Sequence, residues 1–189
     1  FDGIVCSHDA DGAGPNPPYL YSSGPAGVAP PAVKYWNGAD QVAVVANWPT
    51  YSGSTPPVAY DCRIFDMQSY DPDGDGPALP QLVIGGDFFI TFRDYPTFAV
   101  LQGPSWQFVS PGPLGAGSTH SPGSIHVGIR QMSTWDPDGD GPLAPTLYMA
   151  GGIKTLDGIY TVDVVAYDGS KFAVAPDFDG AVDKLFAAD

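Results

Sequence analysis

Three aspartates at alternate positions, each followed by glycine or proline, form "DPDGDGP" at residues 71–77, and the same seven residues return at 136–142. In such a loop the carboxylates at positions 1, 3 and 5 converge when a glycine at position 6 permits a sharp turn, and the carbonyl at position 7 adds an oxygen. Asp71, Asp73 and Asp75 fill these places in one loop, with Gly76 at the turn and Pro77 at the carbonyl position. Asp136, Asp138 and Asp140 fill them in the other, with Gly141 and Pro142. An all-oxygen set selects a hard cation, and calcium accepts about six to eight oxygens in looser geometry than magnesium demands. An EF-hand would need an acidic residue at position 12, where Leu82 and Leu147 stand, so the expectation is a β-hairpin calcium loop. The plainer alternative is that these aspartates only cap turns. Three like charges so close together repel one another, which argues against an ion-free loop.

A third copy, "DADGAGP" at 9–15, keeps Asp9 and Asp11 but has Ala13 in place of the third carboxylate; it is expected to be empty or a weaker site. The residues after the loops also match: "PNPPYLYSSG" (15–24) aligns with "PLAPTLYMAG" (142–151). Further on, "YWNGADQVAVV" (35–45), "LQGPSWQFV" (101–109) and "YDGSKFAV" (167–174) form another corresponding set, which puts Trp36, Trp106 and Tyr167 at matched positions. A period of about 65 residues marks a repeat architecture.

Each period reads as four short strands. In the third, 125–134 is a strand, the aspartate loop turns, "TLYMAGG" returns, and "YTVDVVAY" and "KFAVA" follow across a "DGS" turn. Weak polar–apolar alternation suits strands buried on both faces. The expected fold is all-β, with β-propeller-like repeats of four-stranded antiparallel blades; a duplicated β-sandwich is the second choice. The repeats are placed at 1–58, 59–123 and 124–177. Residues 178–189 carry the first strand of a further or swapped blade, at 181–188. Such an unpaired strand would leave an edge open to pairing. Either the parent chain continues into more blades, or this strand completes a blade in a neighbouring molecule. The opening "FDGIVCSHD", without Met or signal peptide, agrees with a processed product or a piece of something longer.

An aspartate loop leading into a short apolar strand that ends in "GG", as in "LVIGG" (82–86) and "YMAGG" (148–152), resembles the FG-GAP-type propeller repeats of integrin alpha subunits and secreted bacterial proteins. The double glycine is also similar to kelch repeats. The resemblance implies a propeller whose Ca²⁺ ions brace the hairpin between first and second strands. In that family loop position 9 usually carries another aspartate, where this chain has Leu79 and Ala144. The resemblance therefore implies weaker binding here, or completion by water or a neighbour.

The net charge of −14 repels polyanions and excludes nucleic-acid binding of the ordinary electrostatic kind. All 21 acidic residues are aspartate, a turn and cap residue, which argues against helices. No apolar run approaches a membrane span. Cys6 and Cys62 lack metal-ligand spacing, and the sequence leaves open whether they are bonded.

No nucleophile elbow or phosphate loop appears. His8 stands where Tyr70 and Trp135 stand in the other copies and reads as a packing residue; His120 and His126 flank "SPGSI" and could share a metal, a weak signal at a spacing of six within a loop. Matched aromatics read first as core, and as a sugar-stacking platform second. The functional expectation is a non-catalytic, calcium-stabilised extracellular or cell-surface module, structural or adhesive, assembling head-to-tail by strand addition. A glycan or a protein would be its ligand. The alternative is a carbohydrate-binding or carbohydrate-active propeller domain.

Overall fold

A computed structural model of the chain describes residues 3–24, 33–44, 63–74, 76–88, 97–102, 105–109, 128–139, 141–151 and 164–175, together with 182 and 185. Among them are twelve strands and no helix. The strands are β1 (Val5–His8), β2 (Tyr19–Ser23), β3 (Val33–Trp36), β4 (Gln41–Ala43), β5 (Arg63–Tyr70), β6 (Gln81–Asp87), β7 (Phe98–Gln102), β8 (Ser105–Phe108), β9 (Ile129–Trp135), β10 (Thr146–Gly151), β11 (Val164–Tyr167) and β12 (Phe172–Val174). They form three separate antiparallel sheets, each in simple sequence order: β1–β4, β5–β8 and β9–β12. The all-β repeat expectation holds at this level. No closed barrel or ring of blades is formed among the described residues.

Strand placement follows the turn chemistry. Each aspartate loop joins the first and second strands of its sheet, and an Asn or Asp opens the turn between third and fourth strands in sheets 1 and 3. Asn37 Oδ1 accepts the N–H groups of Ala39 and Asp40 at 2.9 and 2.8 Å. Asp168 Oδ1 does the same for Ser170 and Lys171 at 3.0 and 2.9 Å. Such side-chain turns mimic a backbone turn and stop one strand where the next begins.

The sheets stack face to face, and this explains why alternation was weak. Each sheet has a rear face toward the preceding sheet and a front face toward the following one. The front of sheet 1 (Tyr21, Val33) meets the rear of sheet 2 (Met67, Leu82, Ile84, Ala99, Trp106) in one core cluster. The front of sheet 2 (Tyr70, Val83, Phe98, Val100) meets the rear of sheet 3 (Ile129, Met132, Leu147, Met149, Val165, Tyr167) in a second. A middle sheet buried on both faces needs apolar residues at successive positions, as in Leu82-Val83-Ile84. Gly85, from the "GG" signature, has no room for a side chain because Ile129 of the next repeat packs onto it.

Polar groups pin the stacking. The fully buried Tyr70 hydroxyl lies 3.1 Å from the carbonyl oxygens of both Pro145 and Tyr167 in the next repeat. Asp66 accepts from its neighbour Met67 N–H at 2.8 Å and from Met132 N–H, across the junction, at 2.6 Å. The Gln68 amide donates to the Met132 carbonyl. One sheet therefore grips the backbone of the next first strand on both sides of Met132.

Residues 181–188 fall largely outside the described residues, but Val182 and Leu185 are described. They pack on the front of sheet 3 with Ala150, Val164 and Ala175. The Gln131 side chain donates to the Leu185 carbonyl at 3.0 Å and accepts Leu185 N–H at 3.2 Å. Gln131 and Asp66 hold the same repeat position, so Leu185 stands to sheet 3 as Met132 stands to sheet 2.

Two measurements check these junctions. Replacing Tyr70 with Phe strips a buried donor from two carbonyls and should cost about 1–2 kcal/mol in urea unfolding. Trp135→Phe, at the equivalent but exposed position, should stay within about 0.5 kcal/mol. Burial, opposed by the two N–H bonds, holds the Asp66 carboxyl above its ordinary 3.8. A raised native pKa stabilises the fold most below the unfolded value and loses that contribution as pH rises through the native one. Unfolding curves of Asp66→Asn should accordingly gain on wild type as pH climbs above 3.8 and then level off. A pH-independent difference would contradict this assignment.

Candidate metal loops

The three aspartate loops fold to one hydrogen-bond scheme. The position-1 carboxylate accepts the position-3 N–H: Asp11 to Asp9 Oδ1 at 3.2 Å, Asp73 to Asp71 at 3.3 Å, and Asp138 to Asp136 at 3.2 Å. The position-3 carbonyl accepts the N–H of position 6, at 3.0 Å from Gly14 and 3.2 Å from Gly76 and Gly141. The position-3 Oδ2 reaches forward to the N–H of position 8: Asn16 at 3.1 Å, Ala78 at 2.9 Å, Leu143 at 3.2 Å. The turn thus ties the position-1 carboxylate to the backbone of position 3, and the position-3 carboxylate to the backbone of position 8. Asp75 and Asp140, the third carboxylates, lie outside the described residues. Pro77 and Pro142 are exposed on the loop surface. Loop 1 adopts the same fold although Ala13 stands at position 5, so the turn does not depend on a third carboxylate.

The glycine roles differ from expectation. The left-handed residue is at position 4, where Gly12, Gly74 and Gly139 have φ of 60°, 63° and 62°. Glycine at position 6 serves another need, for a β-carbon on Gly14, Gly76 or Gly141 would fall on the carboxylate of Asp11, Asp73 or Asp138. The glycine expected to bend the chain instead clears a seat for the position-3 side chain.

Position 10 is a cover that the sequence reading missed, although a proline there in every copy (Pro18, Pro80, Pro145) was its signal. Pro80 lies over Gly12 and Pro145 over Gly74, at 3.6 and 3.5 Å from where a β-carbon would sit. Among the described residues nothing lies over Gly139. Under these covers one oxygen in each of loops 1 and 2, Oδ1 of Asp11 and of Asp73, is buried without a hydrogen-bond partner. Burial first, with like charge from Asp73 in support, raises the Asp71 carboxyl above its ordinary range. Asp11 is held below that range, chiefly by the Asn16 N–H bond. Three or more His, Cys or Asp side chains placed to hold a metal are not found among the described residues.

The remaining candidates resolve as packing. His8 is buried, stacks edge-on against Tyr21 at 5.5 Å, and shares a 2.8 Å hydrogen bond with Ser69 through Nδ1. Burial lowers its pKa against the pull of Asp9. Cys6 is a free thiol whose Sγ donates to the Ser7 carbonyl at 3.2 Å; Cys62, His120 and His126 lie outside the described residues. The matched aromatic row is corrected by the register. Trp36 and Tyr167 pair with Leu20 and Leu147 in equivalent positions, but Trp106 is in β8, opposite Leu101, and corresponds to Phe172 and Gln41. Trp106 is buried, so no three-residue sugar platform exists in this row.

Gly76→Ala must displace the Asp73 carboxylate from its seat, and this variant should lose about 1–3 kcal/mol of stability in denaturant melts. Gly38→Ala is its control, at a left-handed turn position with nothing within 4 Å, and should cost only the strain of about 1 kcal/mol. No family model, curated protein or solved structure matches this chain.

Proposed function

We propose that this chain is a non-catalytic run of propeller-type blades whose aspartate loops take Ca²⁺, serving as a structural or adhesive module at an extracellular surface. The observation that carries this reading is the buried, unpartnered Oδ1 of Asp73 beside Asp71. A buried carboxylate oxygen without a donor is costly, and a hard cation satisfies it without needing a proton. Asp71 and Asp73, with Asp75, would hold the ion in loop 2, and Asp136 and Asp138, with Asp140, in loop 3; Pro77 and Pro142 offer carbonyls. Bound calcium would supply charge neutralisation and a cross-link within the hairpin, and no bond-making chemistry.

Leu79 and Ala144 at position 9 leave the loops short of carboxylates. Fewer charged ligands mean affinity at the weak end for calcium sites, about 10⁻⁴–10⁻³ M, the range of extracellular modules. That range supports a compartment with abundant free calcium over the cytosol. The net charge of −14 favours ion uptake and keeps nucleic acid away. No helix among the described residues is long and apolar enough to cross a membrane.

Calorimetric melts in 10 mM Ca²⁺ against excess chelator provide the test. Each occupied site should add about 1.5–3 kcal/mol at that concentration. Asp73→Asn should remove one site's share and leave the remainder. Identical melting with calcium and chelator would end the calcium reading.

A further inference from the structure

Across the two internal junctions, the same rear-face positions are buried. Four residues before the first loop aspartate stand Met67 and Met132, and eleven after it stand Leu82 and Leu147; all are buried against the preceding sheet. In sheet 1 these positions are Val5 and Leu20, and they are 58% and 49% exposed. Trp36, in the place of buried Tyr167, is 45% exposed. At the opposite end Trp135, in the place of fully buried Tyr70, is 45% exposed, and Gly139 lacks the proline that covers Gly12 and Gly74. Pro18, the counterpart of those covering prolines, is itself exposed. The described residues therefore show an exposed rear on sheet 1 and, on the front of sheet 3, an exposed loop side around Trp135 next to the part that Val182 and Leu185 cover.

We propose that these two faces are one interface: the rear of sheet 1 of one copy docks on the front of sheet 3 of a second copy. The docking continues the packing already present between sheets 1 and 2 and between sheets 2 and 3. Pro18 takes its place over Gly139, as Pro80 does over Gly12. Leu20 and Trp36 lie against Tyr148 and Trp135, which already touch at 6.1 Å between ring centroids. A head-to-tail contact that closes on itself stops at a defined size.

Two features make the contact reversible. Ser22, Lys34 and Gln41 stand on the rear of sheet 1 where Ile84, Ala99 and Trp106 stand in sheet 2, giving a face more polar than the internal junctions. Leu185 also holds, on Gln131, the place that Val5 of the incoming copy needs. The chain's own segment thus competes with the second copy. This inference rests on sheet packing alone, so the outcome of the calcium melts does not bear on it.

Cysteine cross-linking tests the register, and sedimentation equilibrium tests the competition. Mixed Pro18→Cys and Gly139→Cys chains should form a disulfide-linked pair on a non-reducing gel. Either variant alone should match the wild-type background from Cys6 and Cys62. Leu185→Asp, its fold confirmed by circular dichroism, should tighten dimerisation at least tenfold. Adding Leu20→Asp to it should abolish the dimer. The proposal is overturned if the mixed cysteine variants do not link, or if Leu20→Asp leaves association unchanged. A Leu185→Asp chain that folds but dimerises no better would overturn the competition, and one that fails to fold leaves the cross-link to decide.

Discussion

Everything in this structure depends on one face of a four-stranded sheet being unable to stand alone. Tyr21 and Val33 on one side, and Met67, Leu82 and Ile84 on the other, are buried only because neighbouring sheets meet. A four-stranded meander of three- to eight-residue strands buries little by itself. The stack is therefore the unit of stability, and the middle repeat contributes half of two cores.

The aspartate loops follow from that constraint. They join the first and second strands at the edge of the stack, where the proline of the following repeat closes over them. In loops 1 and 2 Oδ1 of Asp11 and of Asp73 is buried, whereas in the third loop Asp138 is exposed. The chemistry of a loop is thus set partly by the repeat after it. The buried, unpartnered oxygen thus lies beside the place where two repeats meet.

The junction polar groups act in the same direction. Asp66 and Gln131 occupy one repeat position and each binds the backbone of the next first strand, at Met132 and at Leu185. In sheet 1 the position is Ile4, which packs into the core instead. A hydrogen bond to backbone is indifferent to the side chain it meets, so it fixes spacing between repeats while the apolar contacts vary.

Much was readable from residue order. Strict Asp-x-Asp spacing, glycine and proline at turns, and short apolar runs set the number and order of strands, because turn chemistry and strand propensity are local properties. The place of each acidic loop between first and second strands was readable too, since a turn involves neighbours within a few residues. Other features were settled only in three dimensions. Trp106 matched Trp36 by type yet belongs to a different strand, because side-chain class does not determine cross-strand register. Leu20, Leu82 and Leu147 are the same residue at the same repeat position, and only the first is exposed. The sequence by itself settled that a strand–turn repeat with acidic loops would form. Whether a given leucine or tryptophan lies inside or outside was decided by the presence of a neighbouring sheet, a property of the stack that no residue carries alone.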